Sequence, residues 1–253
     1  MIVIGAGRVG TALARRAEER GLPCALVRRD AGWEALEGRP GTPILVATRN
    51  DDLPEVVAQV PEHRREDLVF VQNGMVRPWL REQLLGQSTR GLLYFSVPSL
   101  GAPIEIGDRP SPLCGPRSLE TVGWLVDLGI PAISVDWARF SAFELEKLIW
   151  TSAFGVLCET FDCDVGTICA ERTAELRSLV RELSRVGRAS MGVDLPIEWL
   201  LGRLCAYSAS IPTTRASVKE WRWRNGWFVE EAARRGVATP VHLHLLEGIG
   251  KLR

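Results

Sequence analysis

The residues best suited to chemistry stand at the very start of the chain. Gly5-Ala6-Gly7-Arg8-Val9-Gly10 follows three apolar residues in strand register and opens a helical pattern. In that context each glycine has its own mechanical role. Gly5 allows a tight turn, Gly7 lets backbone approach a pyrophosphate, and Gly10 lets helix and strand pack closely. The first-turn N–H groups and the positive helix end favour an anionic phosphate. A second strand ends in Arg28-Arg29, with no acid before Asp30. A ribose 2′-hydroxyl is usually met there by Asp or Glu and a 2′-phosphate by cations, so this junction predicts NADPH. Solvated loop arginines are the alternative. Thr48 and Arg49 close the third strand, and Asn73-Gly74 closes the fourth. Asn73 is either a turn-former or a hydrogen-bonding group for cofactor or substrate.

Composition removes several classes of function. The 31 basic residues balance the 31 acidic ones, which leaves no global attraction to nucleic acid or an anionic membrane. No apolar run has the length of a membrane span, and the N-terminus reads as a strand entering a glycine turn rather than a signal peptide. The six cysteines form no CxxC pair, and no histidine lies close in sequence to the Cys158, Cys163 and Cys169 cluster. Reduced thiols in a cytoplasmic protein are expected, and no metal site. His242 and His244, in a leucine-rich tail, read as packing residues.

The elements that must position these residues follow from periodicity. Strands are expected at 2–4, 24–27, 44–47, 68–71, 91–95, 104–106 and 132–135, with helices at 8–20, from 51 or 52 to 60, and at 119–127. A Pro/Gly-rich patch at 108–115 breaks the pattern. Alternation of strand and helix predicts an α/β, doubly wound Rossmann-type sheet over residues 1–137. From 138 to 253 strand-like alternation nearly vanishes. Helical spacing there, at 138–160, 170–191, 196–208 and 215–236, predicts an all-helical second domain. A ligand crevice is expected where the two meet.

With both halves read, the chain resembles the ketopantoate reductase (2-dehydropantoate 2-reductase) family. The matches are GAGRVG, QNGM at 72–75, FELEKLIW at 143–150 and NGWFVEEAARRGVATP at 225–240. The resemblance implies a Rossmann domain joined to a helical domain and NADPH-dependent reduction of a 2-oxo acid. It puts Arg29 and Arg49 where family members hold the 2′-phosphate. It also puts Asn73, Lys147 and Glu220 around the reacting carbonyl. Hydride arriving at a ketone makes an alkoxide, which needs a positive hydrogen-bond donor, and a lysine held by a carboxylate supplies one. The bland alternative pairs Lys147 with a neighbouring acid on a solvated helix face. Family members carry asparagines four and eight residues after the lysine, where this chain has Thr151 and Gly155. The serine that contacts the substrate carboxylate corresponds to Ser208 or Ser210.

The resemblance and the residues together predict an NADPH-dependent reductase of a small carbonyl compound, a 2-oxo acid other than ketopantoate. Lys147 and Glu220 are the expected catalytic residues, and Asn73, Thr151, Ser208, Ser210 and Glu220 the substrate contacts. A dinucleotide-binding relative without the reaction, or an imine or opine-type reductase, are the alternatives. Trp221, Trp223 and Trp227 flank Glu220 and alternate with Arg222 and Arg224. Core packing is expected for most of them, with one indole as a candidate wall of the substrate pocket. The expected partner is a small molecule, not nucleic acid or membrane; a homodimer stays open as the assembly.

Overall fold

Three-residue apolar runs, IVI, ILV and LVF, are buried on both faces in this protein, as parallel strands covered by helices must be. The computed structural model describes residues 1–107 and 109–252. It divides into two compact units, Met1–Phe140 and Ser141–Arg253. The division falls inside one long helix, whereas the change of sequence texture at 137 marks where that helix begins.

The first unit runs β1 (Ile2–Ile4), α1 (Arg8–Glu19), β2 (Ala25–Val27), β3 (Ile44–Val46), α2 (Leu53–Gln59), β4 (Leu68–Phe70) and α3 (Arg77–Glu82). It continues with β5 (Thr89–Gly91), β6 (Phe95–Ser96), β7 (Glu105–Ile106), β8 (Ser111–Cys114), α4 (Ser118–Asp127) and β9 (Ala132–Ser134). The sheet order is β2-β1-β3-β4-β5-β8-β9, and β6 and β7 form a separate antiparallel pair. Every pairing in the large sheet is parallel except β5 with β8. Because β1 lies between β2 and β3, the chain reverses its winding at β1, and the ends of those three strands share one edge. Val3, Leu13, Leu45, Val69, Leu113 and Leu125 are wholly buried in the core between sheet and helices.

Two expectations fail here. The 91–95 strand is split, since β5 ends at Gly91 and the chain leaves the sheet before β6. The patch at 108–115 begins on Asp108, outside the described residues, but contains the fully buried β8. Its proline hid it: Pro112 contributes only a carbonyl, which accepts from the Leu92 N–H at 3.0 Å. Away from the ligand edge, Asp67 is wholly buried between Arg64 and Arg117 and also accepts from the Gly41 N–H. A buried charge paired on two sides fixes the loops that it joins.

The second unit contains the rest of α5 (Trp137–Phe161), then α6 (Val165–Glu171), α7 (Thr173–Met191), α8 (Ile197–Ser210), α9 (Asn225–Arg235) and α10 (Pro240–Gly248). Residues 170–191 do not form one helix. The Asp164 carboxylate caps α6 by accepting from the Thr167 N–H at 2.8 Å, and Arg172 then separates α6 from α7. Residues 215–220 are not helical either, and α10 lies unannounced in the leucine-rich tail. Leu145, Ile149, Phe154, Leu157, Leu179, Leu183, Leu200 and Phe228 are wholly buried, so α5 and α7 bring most of this core. Among the described residues no helix is long and apolar enough to cross a membrane, and all six cysteines are free thiols.

Candidate functional site

At the end of β1 the three glycines behave differently, each for a steric reason. Gly5 has φ +111°, and a Cβ there would lie 2.9 Å from the Thr48 methyl carbon and 3.0 Å from the Ala47 carbonyl. A Cβ on Gly10 would lie 1.9 Å from the Gly5 carbonyl oxygen, so only glycine lets α1 rest on the turn. Around Gly7 there is open space, with nothing within 4 Å of where a Cβ would sit. The first N–H of α1 to find a backbone partner is that of Thr11, donating to Gly7 at 3.0 Å. The amides of Arg8, Val9 and Gly10 therefore stand at the helix start without an intrahelical acceptor. The Thr11 hydroxyl, 3.1 Å from the Ala6 carbonyl, stiffens the loop. Exposed Arg8 donates to the Pro98 carbonyl at 2.9 Å.

Arg28, Arg29 and Arg49 are exposed at the ends of β2 and β3, on the two sides of β1. Arg29 reaches Asp52, 3.4 Å away, an acid that its distance in sequence concealed. Such an exposed pair contributes under about 1 kcal/mol and does not fix the guanidinium. Two buried polar atoms in the same region have no partner, the Thr48 hydroxyl and Gln72 Oε1. Gln72 itself is held by donating to the Val46 carbonyl at 2.8 Å. Buried Asn50 donates to the Asn73 carbonyl at 2.8 Å and so ties the loop after β4 to the loop after β3. Half-buried Asn73 is followed by Gly74 at φ +88°. Open space at Gly7, free helix-start amides, orphaned polar atoms and three cations fit a nicotinamide dinucleotide.

In the second unit α5 carries Lys147, Thr151 and Gly155 at successive turns of one face. Burial lowers the Lys147 pKa to about 7, and the Arg224 guanidinium contributes to the fall as the smaller cause. Glu220 has a left-handed backbone, φ +49° and ψ +51°, and its carboxylate accepts from Arg224. A residue other than glycine in that region is strained and needs its surroundings to hold it there. Arg224 thus links the two expected catalytic residues: it pairs with Glu220 and opposes the charge on Lys147. In the sequence it looks like one more member of the Trp/Arg alternation. Its i,i+4 spacing from Glu220 was the available signal.

The two serines expected to meet substrate have partners within the protein. Ser208 is wholly buried, accepts from the Trp150 indole N–H at 3.0 Å and donates to the Leu204 carbonyl at 3.0 Å. Its hydroxyl is a packing element that anchors Trp150, which stacks on Phe154 and meets Tyr207 edge-on. Ser210 is exposed and donates to the Tyr207 carbonyl at 2.7 Å. The Thr151 hydroxyl donates back into its own helix, to Leu148, at 3.1 Å. Trp223 and Trp227 are buried, while Trp221 is half-buried against Gly226.

Residues 140–252 match the family model of the ketopantoate reductase PanE/ApbA C-terminal domain. The second unit is thus similar to the C-terminal domain of the ketopantoate reductase family. The chain's fold agrees with solved structures along nearly the whole length. A D-mandelate dehydrogenase in complex with NADH superposes with TM-score 0.76 at 14% identity, covering 98% of this chain and 97% of that one. A PanE/ApbA family ketopantoate reductase from Ralstonia eutropha JMP134 gives 0.74 at 18% identity, with 99% and 97% covered. A dimeric ketopantoate reductase from Staphylococcus aureus gives 0.76 at 17% identity, with 99% of both chains covered. No curated protein matches the sequence significantly.

Within the matched domain, the tail helix α10 is fastened by residues that sequence spacing did not connect. His242 Nε2 and Asn225 Oδ1 are 2.8 Å apart, both buried. The Glu182 carboxylate accepts from the backbone N–H groups of Val241 and His242 at 3.0 and 2.9 Å. Burial lowers the His242 pKa to about 4, so the imidazole is neutral at pH 7.

Proposed function

We propose that this protein reduces a small 2-oxo acid to the 2-hydroxy acid with NADPH. The observation that carries the reading is Lys147, a half-buried lysine on the first helix of the matched C-terminal domain, which desolvation brings to a pKa of about 7. A proton donor with a pKa near the working pH combines a useful charged fraction with easy transfer. The backbone at Gly7 and the start of α1 would hold the pyrophosphate; Arg28, Arg29 and Arg49 would take the 2′-phosphate; Thr48, Asn73 and Gly74 would line the remaining edge. When bound, the nicotinamide supplies the hydride. Lys147 donates a hydrogen bond to the substrate carbonyl oxygen through Nζ and passes its proton over as the alkoxide forms. Glu220, steered by Arg224, orients substrate and lysine. The NADH complex of the D-mandelate dehydrogenase supports a nicotinamide cofactor, while the three arginines favour the phosphorylated form. Six free thiols suit a reducing, cytoplasmic setting.

The polar groups expected to meet a substrate hydroxyl are engaged elsewhere or missing. Thr151 bonds Leu148, Ser208 bonds Trp150, and position 155 has no side chain. Unpaired buried polar groups cost on the order of 1–3 kcal/mol each, so a less polar, aryl or alkyl 2-oxo acid suits the site better than ketopantoate. A solved complex of a D-mandelate dehydrogenase holds anilino(oxo)acetate, an aryl compound. The test is NADPH oxidation followed by absorbance against ketopantoate, phenylglyoxylate, straight-chain 2-oxo acids and cyclic imines. Turnover of an aryl or alkyl 2-oxo acid, with kcat/KM at least about tenfold above ketopantoate, is expected. Preference for ketopantoate refutes the substrate assignment. Tight NADPH binding with no turnover of any of them would instead favour a dinucleotide-binding relative.

A further inference from the structure

Residues 211–220, between α8 and α9, form a strap laid along α5 and the start of α6, and its last residue is Glu220. Its backbone is fastened at several points. The N–H groups of Val165 and Gly166 donate to the carbonyls of Thr214 and Pro212 at 3.0 and 2.9 Å. The Ala216 N–H points at the Cys158 sulfur, and Arg215 pairs with Asp162. The Val218 N–H donates to Glu159 Oε1 at 2.9 Å. Between these points the strap lies directly on Gly155. A Cβ there would be 2.9 Å from the Ser217 carbonyl oxygen and 3.3 Å from the Val218 nitrogen. Two residues later the chain takes up the strained left-handed conformation at Glu220.

Gly155 and Glu159 are four residues apart and continue the α5 face that carries Lys147 and Thr151. One admits the strap to the helix surface and the other grips it, so together they set its height and register over that face. We propose that Gly155 and Glu159 are positioning residues that act through the strap on Glu220 and set the substrate's place beside Lys147. This rests on the reading of Lys147 and Glu220 as the groups that meet the substrate. The strap also fills the volume a side chain at 155 would take. The site is thereby closed along α5 with backbone in place of a polar side chain, which selects 2-oxo acids without a distal polar group.

The test is steady-state kinetics on the best 2-oxo acid, beside NADPH titration and melting curves, for Gly155→Ala, Glu159→Ala, Glu159→Gln, Glu220→Ala and the double variant Gly155→Ala/Glu220→Ala. Displacing a positioned group by a few tenths of an ångström to about 1 Å costs up to about a hundredfold. Gly155→Ala and Glu159→Ala should raise KM about tenfold and leave the NADPH dissociation constant unchanged. Glu159→Gln should remain close to the parent, because its amide oxygen still accepts from Val218. The double variant should be no worse than Glu220→Ala alone, since both changes act through one carboxylate. Should Glu220→Ala be impaired while Gly155→Ala and Glu159→Ala keep the parental KM, or should the double variant show fully additive losses, the positioning role is refuted. An unimpaired Glu220→Ala overturns the reading of the site itself, and this inference falls with it. Glu159→Ala keeps the test sound if Gly155→Ala does not fold.

Discussion

Replacing Arg224 by Met probes the proposed proton donor most directly. Two causes bring Lys147 from 10.5 to about 7, burial first and the Arg224 guanidinium second. At a pKa of about 7 the ammonium is half populated at pH 7 and only about 1% populated at pH 9. The reductive kcat/KM should therefore fall about tenfold for each pH step above neutrality. Arg224→Met removes the repulsive cation and at the same time releases the Glu220 carboxylate that Arg224 holds. Both changes favour the charged lysine, so the alkaline limb must move to higher pH. Burial is the larger cause and stays, so the variant recovers less than half of the displacement, on the order of one pH unit. The assay is NADPH oxidation with the preferred 2-oxo acid from about pH 5.5 to about pH 10, comparing the parent with Arg224→Met and Lys147→Ala. Lys147→Ala should lose roughly 10²–10⁴ in kcat and the limb with it. A limb that stays in place in Arg224→Met, or moves to lower pH, refutes the assignment of the titrating group to Lys147.

Other perturbations test separate parts of the molecule. Arg29→Ala/Arg49→Ala should lower NADPH affinity about ten- to a hundredfold and leave NADH binding nearly unchanged, because charge-assisted phosphate contacts contribute roughly 1.5–3 kcal/mol; fluorescence titration decides, and equal losses for both cofactors would count against it. Ser208→Ala should cost about 1 kcal/mol by leaving the Trp150 indole without its acceptor, with the KM for the 2-oxo acid unchanged; a large KM effect at unchanged stability would return Ser208 to the substrate site. His242 has a lower pKa folded than unfolded, so its contribution is complete above about pH 6.5 and is lost as pH falls towards 4. Urea unfolding between pH 7 and pH 4 should show a loss of roughly 3 kcal/mol that is absent in His242→Gln; the same loss in both proteins would place the acid sensitivity elsewhere.

The sequence by itself determined whatever depends on neighbouring residues. Alternating aliphatic runs and helical spacing imply an α/β half followed by a helical half. The glycines at 5, 7 and 10 are legible from their spacing, and the demand on Gly10 arises locally from the Gly5 carbonyl, whereas Gly5 also faces Ala47 and Thr48 from β3. The long buried helix around Lys147 is legible from its own apolar residues. What failed was decided by contacts between distant segments. The strand at Ser111–Cys114 exists because β5 and β9 flank it, which outweighs its proline. Residues 215–220 have helical spacing but are drawn out along α5 by acceptors more than fifty residues away, such as Glu159. Spacing marks Ser208 as a substrate contact, and only the tertiary structure shows the Trp150 indole against its hydroxyl. Asp52 beside Arg29, Asn50 on Asn73 and Arg224 near Lys147 follow the same rule. Residue type supplies the chemistry, and only the tertiary structure decides which group reaches it, because a side chain's partner and its desolvation depend on segments that local sequence does not contain.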